Sequence, residues 1–162
     1  MSAVSNSSPL ISLARIGQLG LLRQLHGEMV IPDAVWREVV IAGAGQPGAD
    51  DVRTATWIQR QSVVDQQLVW ALRQELGSGE AEAIVLSLET GVGLLLMDER
   101  LGRATARHLG LRCVGLVGLL TEAKRRGLIN EVRPYLDAPR TRAGFHIGDE
   151  LQERVLRDEG EV

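Results

Sequence analysis

The sequence predicts a three-layer α/β/α sandwich around a central parallel sheet of four to five short strands, and three observations carry that prediction. Short apolar runs bounded by glycine, proline or charge, such as "VGLLLM", have the length of buried strands rather than of helices. Between them lie stretches of helical periodicity, and strands alternating with helices imply parallel pairing with helices over both faces. With 162 residues, 44% of them hydrophobic, the chain has apolar material for one substantial core and hardly for two, so residues 1–162 read as a single domain.

Taken in order, "SAVS" reads as the first strand, followed by helical patterns at Leu10 to Ile16 and Leu19 to Leu25. Pro9 suits a first helical turn, where its missing N–H costs nothing, and Ser7 or Ser8 is placed to cap that helix. Met29 to Pro32 is a second strand, and its proline opens the helix "DAVWREVVIAG", on which Val35, Val39 and Ala42 make a stripe that Gly43 and Gly45 end. "ADDVRTA" reads as a short helix and "WIQRQSV" as a weak edge strand. Two helices come next: "DQQLVWALRQELG", with Leu68, Leu72 and Leu76 on one face, and "GSGEAEAIVLSLETG", with Ala81, Ile84, Val85 and Leu88 on one face. "VGLLLMDER" is the clearest strand, an unbroken apolar run ended by charge. "LGRATARHLG" returns as a helix ending at Gly110, "LRCVG" is another short buried strand, and "LVGLLTEAKRRGLI" is a helix stopped by Gly127. Two further helices, around Glu131 to Leu136 and Gly148 to Leu156, finish the chain. Ile147, Leu151 and Val155 share a face of the last one, which would dock on its own core, on a second copy or on a partner helix.

The bulk numbers exclude several classes. A formal charge of −3 is not that of a uniformly basic nucleic-acid coat, so a polyanion would be met by a local patch. Aromatics at 3% argue against a surface that binds single strands mainly by stacking. The lone Cys113 cannot form an internal disulfide, which fits a reducing interior. The opening "MSAVSNSS" lacks the basic and apolar regions of a secretory signal and the apolar runs are too short to span a bilayer, so a cytoplasmic protein is expected, with no membrane partner.

Sheets of this kind bind ligands beyond the carboxyl ends of their strands, where strand order reverses. Asn6 and Asp98 each follow a strand directly, so both are expected on that rim, and four acidic or amide positions can converge there: Asn6, Glu38, Glu80 or Glu82, and Asp98 or Glu99. Two like charges about 4 Å apart repel by roughly 4 kcal/mol at an effective dielectric near 20, so several carboxylates in one pocket require protons or a cation among them. Oxygen donors without nearby His or Cys point to Mg²⁺ or Mn²⁺ rather than zinc, and His26, His108 and His146 are scattered without ligand spacing. Glu80 and Glu82 point roughly 200° apart on a helix, so at most one of the two faces the site. Such a metal over a crevice suits phosphodiester hydrolysis. Each carboxylate also has an ordinary role: a solvated helix residue for Glu38 and for "DER", a favourable charge at a helix N-terminus for Glu80.

Five stretches in sequence, "SNSSPLISLARIGQLGLL", "VIPDAVWREV", "GSGEAEAIVLSLETG", "LLLMDERLGRATARHLGLRCVGLVGLLTEAKRRGLI" and "GFHIGDEL", make the chain resemble the PIN-domain family, most of all its VapC-like toxin ribonucleases with an SNxSPLI opening, from about Ser5 to Leu156. The resemblance implies a compact α/β/α nuclease fold, a Mg²⁺ or Mn²⁺ site, RNA as substrate, a small antitoxin as partner and, in the family, homodimers. It puts the catalytic acidic positions on Asn6, Glu38, Glu82 (with Glu80 as alternative) and Asp98, the metal on Asn6, Glu82, Asp98 and Glu99, and the Ser7 and Ser8 hydroxyls at the metal edge. Asn6 departs from the family's usual aspartate; a neutral amide oxygen still ligates Mg²⁺ but offsets less of its charge.

From Asp98 to Arg142 ten basic residues face five acidic ones, so this half is where RNA phosphate is expected, on Arg103 and Arg107 of an Arg100, Arg103, Arg107 stripe, on Lys124 and on Ser8. Two functions follow: a metal-dependent endoribonuclease of toxin type, or a catalytically weak PIN module that binds RNA or a partner protein. A receiver-type phosphoacceptor, which also gathers acids at strand ends, needs a lysine after a late strand, and "CVG" has none.

Overall fold

The short apolar segments line up side by side. In a computed structural model of the chain, which describes residues 2–138 and 149–161, β1 (Ala3–Ser5), β2 (Met29–Pro32), β3 (Ile58–Gln61), β4 (Leu94–Leu96) and β5 (Arg112–Val114) form one sheet in the order β3-β2-β1-β4-β5. Every pairing is parallel. The chain steps outward from β1 to β3, then crosses back to add β4 and β5 on the other side. Strand order therefore reverses between β1 and β4, which pair Val4 with Leu95 and Ser5 with Leu96.

Parallel strands need crossovers, and helices supply them: α1 (Ser7–Arg15), α2 (Gly20–His26), α3 (Asp33–Trp36), α4 (Ala49–Thr54), α5 (Gln66–Leu72), α6 (Ser78–Thr90), α7 (Arg100–His108), α8 (Leu116–Arg125), α9 (Arg133–Ala138) and α10 (Asp149–Asp158). Alternation along the strands divides the interior in two. Ala3, Met29, Ile31 and Leu96 face a core shared with α1, α2 and α8, through side chains such as Leu10, Leu22 and Leu120. Val4, Leu95 and Met97 face the opposite core, built on Ile84, Val85 and Leu86 of α6 and Ala106 of α7. These are the two outer layers of the expected sandwich.

Several elements depart from expectation for physical reasons. α1 begins at Ser7, with Asn6 as N-cap; neither serine caps it, because the Ser7 hydroxyl bonds to Glu38 and that of Ser8 is enclosed without a partner. The predicted single helix from Asp33 divides into α3 and a π-helical turn, Arg37–Ile41, leaving Ala42 exposed while Val35 and Val39 are buried. The helix over "DQQLVWALRQELG" stops at Leu72. α6 is buried nearly all round because it packs between α3, α5 and the sheet, while Leu88 of its predicted face is exposed. β5, expected as a buried strand, is the sheet's second edge, and its Arg112 is exposed.

The carboxyl-terminal helix docks on its own chain. Leu156 is buried in the first core with Val155 packed against it, while Leu151 points outward. Ile147, Gly148, His146, Arg140 and Arg142 lie outside the described residues. The Glu161 carboxylate then fastens the end, accepting from the Lys124 ammonium at 2.7 Å and from the backbone N–H groups of Val132 and Arg133 at the start of α9. Among the described residues, no helix is long and apolar enough to cross a membrane.

Candidate active site

Reversal of strand order leaves a crevice beyond Ser5 and Leu96, because the chain leaves β1 and β4 in opposite directions there. Asn6 is the first residue out of β1; its N–H donates to Leu96 O at 3.0 Å, so its backbone is tied to the end of β4, and the residue is buried. The π-helical turn carries Glu38 toward it, a local geometry that recurs at functional sites. Glu38 Oε1 accepts from the Gly79 N–H at 3.2 Å and Oε2 accepts from the Ser7 hydroxyl at 2.5 Å.

Gly79 lies in the first turn of α6, where a glycine weakens a helix. Its reason is spatial. A Cβ at this position would stand 2.8 Å from each Glu38 carboxylate oxygen and 3.1 Å from Asn6 Oδ1. Absence of a side chain lets the amide oxygen of Asn6 and the carboxylate of Glu38 approach the same point from two elements.

The second half of the site stands on β4. Asp98 follows Met97, and its Oδ1 accepts from the Leu116 N–H at 2.8 Å, at the start of α8. Its Oδ2 is enclosed without a hydrogen-bond partner, as is Nε of Arg103. Both side chains crowd Gly115, whose Cβ would come within 3.2 Å of Arg103 Nη1 and closer still to Asp98 Oδ1. Burial pushes the Asp98 carboxyl above its usual range, with Glu99 adding to the rise and the Leu116 amide and Arg103 opposing it. Glu80 is raised as well, first by burial and then by the charges of Glu99 and Glu38. Asp98, Glu99, Glu80 and Glu38 thus form a run in which each carboxylate repels the next, Asp98 to Glu99, Glu99 to Glu80 and Glu80 to Glu38, and Glu38 stands beside Asn6 across Gly79.

Glu82 stands elsewhere, which corrects its assignment as the third acidic position. Its Oε1 accepts from the Ala34 N–H at 3.1 Å and Oε2 lies 3.8 Å from Arg37, so it serves the amino end of α3, one turn before Glu38. Glu80 is the member of the pair that joins the other carboxylates. Three of the residues expected on RNA are also otherwise placed. The enclosed Ser8 hydroxyl does not reach solvent. Lys124 is held by Glu161 and the Glu159 carbonyl, its charge spent on fastening the chain end. Arg103 turns inward to Asp98 and Gly115. Arg100 and Arg107 remain exposed on α7. The Cys113 thiol, raised by burial against the opposing charges of Arg103 and Arg107, is not activated as a nucleophile.

Two features of the site escaped the motif reading: the Ser7 to Glu38 bond and the contact at Gly79. Only the second has a sequence signal, the paired glycines of "GSGE" at a helix start, where one would serve the turn.

The donors present are carboxylate and amide oxygens, the kind that suit a hard divalent cation, and the orphaned Asp98 Oδ2 is an acceptor in want of a partner. They are not drawn together into a finished site: among the described residues no group of three His, Cys, Asp or Glu side chains is close enough to hold an ion as they stand.

The family described as PIN domain (DUF3368) matches residues 2–161 of the chain. No curated protein matches it. Among solved structures, a PilT N-terminus domain protein from the hyperthermophilic archaeon Sulfolobus solfataricus P2 is similar at 21% sequence identity with a TM-score of 0.55, over 76% of this chain and 93% of that one. That likeness is one of fold.

Proposed function

The chain belongs to the PIN-domain family, whose members are generally nucleases, and from that premise we propose that it is a divalent-metal-dependent endoribonuclease of toxin type, cleaving RNA phosphodiester bonds at the carboxyl rim of the sheet. The observation that carries the reading is the run of repelling carboxylates, with Glu80 and Asp98 both raised, brought beside Asn6 at the point where strand order reverses. Such an arrangement is unfavourable in itself and becomes favourable around a cation.

Asn6, Glu38, Glu80 and Asp98 would hold Mg²⁺ or Mn²⁺, with Glu99 beside them. When bound, the ion supplies Lewis-acid stabilisation of the charge that develops on the phosphate. The chain's own groups do the positioning. Ser7 and the Gly79 amide fix both oxygens of Glu38. The Leu116 amide holds one oxygen of Asp98, and the other is left without a hydrogen-bond partner. Arg100 and Arg107, exposed on the helix that begins beside Asp98, meet the RNA backbone. A toxin of this type acts in the cytoplasm and is held in check by a small antitoxin.

A second reading, a catalytically weak PIN module that binds RNA or a partner protein, has its own support in the neutral Asn6 and in carboxylates not gathered into a finished metal cage. The two separate when purified protein is incubated with RNA in Mg²⁺, Mn²⁺ or EDTA beside the Asp98→Asn variant. Cleavage that needs the metal and disappears in the variant is expected. RNA equally intact in every tube would overturn the enzyme and leave the binder.

A further inference from the structure

At the opposite end of the sheet, where the strands begin, a cavity of about 610 Å³ opens between β4, β5 and α8, a volume in the range of sites for nucleotide-sized ligands. Its walls divide by chemistry. Leu94, Val114 and Leu119 give an apolar strip, widened by the bare backbones of Gly93 and Gly118. Arg112, Arg125 and Arg126 give a cationic side against one carboxylate, that of Glu122.

His26, the last residue of α2, also lines this cavity. It is 8% exposed, and both of its ring nitrogens are enclosed without a hydrogen-bond partner. Buried polar atoms are nearly always paired, so two orphans on one ring call for a missing partner. Burial and then the Arg126 charge hold the imidazole below its ordinary basicity, with Arg112 acting the same way and Glu122 opposing, which favours the neutral ring with one donor and one acceptor. Arg126 is engaged by Glu122 and the Leu25 carbonyl, and Arg125 by Glu159. Among the described residues Arg112 forms no salt bridge, and it leaves one positive charge over the cavity uncompensated.

We propose that this cavity binds a small phosphomonoester of mononucleotide size, its phosphate on Arg112 and the His26 ring and its flat body on Leu94, Val114 and Leu119. A phosphate oxygen accepts from the imidazole N–H, and the negative charge of the phosphate balances Arg112. An uncharged ligand would satisfy the ring and leave the arginine. The site is independent of the acidic rim, being at the other end of the strands.

Calorimetric titration of the full chain with adenosine 5′-monophosphate, and separately with adenosine, tests this. Binding of the monophosphate at least tenfold tighter than adenosine is expected, weakened tenfold or more in Arg112→Gln and unchanged in Asp98→Asn, which alters the opposite rim. Equal affinity for the two ligands, no binding of either at millimolar concentration, or indifference to Arg112→Gln overturns it. Should Arg112→Gln not fold, the His26 ring resonances of the wild-type protein decide: a shift that saturates with the monophosphate and not with adenosine supports the site, and ring signals that stay in place overturn it.

Discussion

Glu82 Oε1 accepts the backbone N–H of Ala34 at 3.1 Å, so the carboxylate two residues beyond Glu80 closes the amino end of α3 instead of facing the crevice. Substituting the two glutamates therefore has opposite consequences. Glu82→Ala leaves a donor at a helix start unmet and costs about 1 kcal/mol of stability, in the range of a lost helix cap, while RNA cleavage persists. Its contact with Arg37 adds little, since the arginine is more than half exposed. Glu80→Gln abolishes cleavage with no such loss of stability. Thermal melts and RNA cleavage on the same two proteins check both outcomes.

Gly79→Ala separates packing from function. The new methyl meets Glu38 oxygens at 2.8 Å, and the far end of a side chain yields at small cost, while alanine in a helix gains up to about 1 kcal/mol over glycine. The melting temperature is expected to stay within about 3 °C of wild type, and cleavage to fall at least tenfold because Glu38 is pushed from Asn6. A variant as active as wild type would show that this approach is not needed.

Ser7→Ala removes the only hydroxyl donor to Glu38 among the described residues. A hydrogen bond to a charged group contributes about 1.5–3 kcal/mol when buried, and less is expected here because Glu38 is partly solvated, about 1 kcal/mol. Cleavage should drop, with Ser7→Thr restoring part of it; denaturant titration and initial cleavage rates read the two effects.

Asp98 and Glu161 give stability opposite slopes with pH. The folded-state pKa of Asp98 is raised, so its contribution is fully present below the unfolded value near 3.9 and is lost as pH rises through the folded value. Asp98→Asn should therefore be more stable than wild type at pH 8 in EDTA, with the difference closing toward pH 3. Glu161 is lowered, the Lys124 ammonium and the Val132 and Arg133 amides outweighing burial, so its contribution is present above the unfolded value near 4.3 and is lost as pH falls through the folded one. Glu161→Gln should then lose stability at neutral pH, by about 2 kcal/mol for the paired and hydrogen-bonded carboxylate, and approach wild type in acid. Melting curves from pH 3 to pH 8 distinguish the two slopes.

Lys124→Gln is expected to loosen the chain end, through the same lost contacts to Glu161 and the Glu159 carbonyl, without changing RNA affinity. Arg107→Gln should do the reverse, weakening RNA binding and reducing its salt dependence by about one unit of slope with stability unchanged. Fluorescence anisotropy with labelled RNA at several salt concentrations, beside melting temperatures, reads both.

What the sequence determined by itself is what local chemistry dictates. Short apolar runs such as Leu94 to Leu96 have the length and flanks of covered strands, helical stretches between them call for parallel crossovers, and residues that follow a strand, Asn6 after β1 and Asp98 just beyond β4, stand at the carboxyl rim. Side-chain direction obeys contacts that no spacing reveals. Whether Glu80 or Glu82 faces the crevice depends on the backbone N–H of Ala34, brought to Glu82 by a different crossover, and whether Lys124 or Arg103 is free for RNA depends on Glu161 and Asp98, which only folding places beside them. A charged side chain goes to whichever partner best offsets its desolvation, and that partner is a property of the tertiary structure.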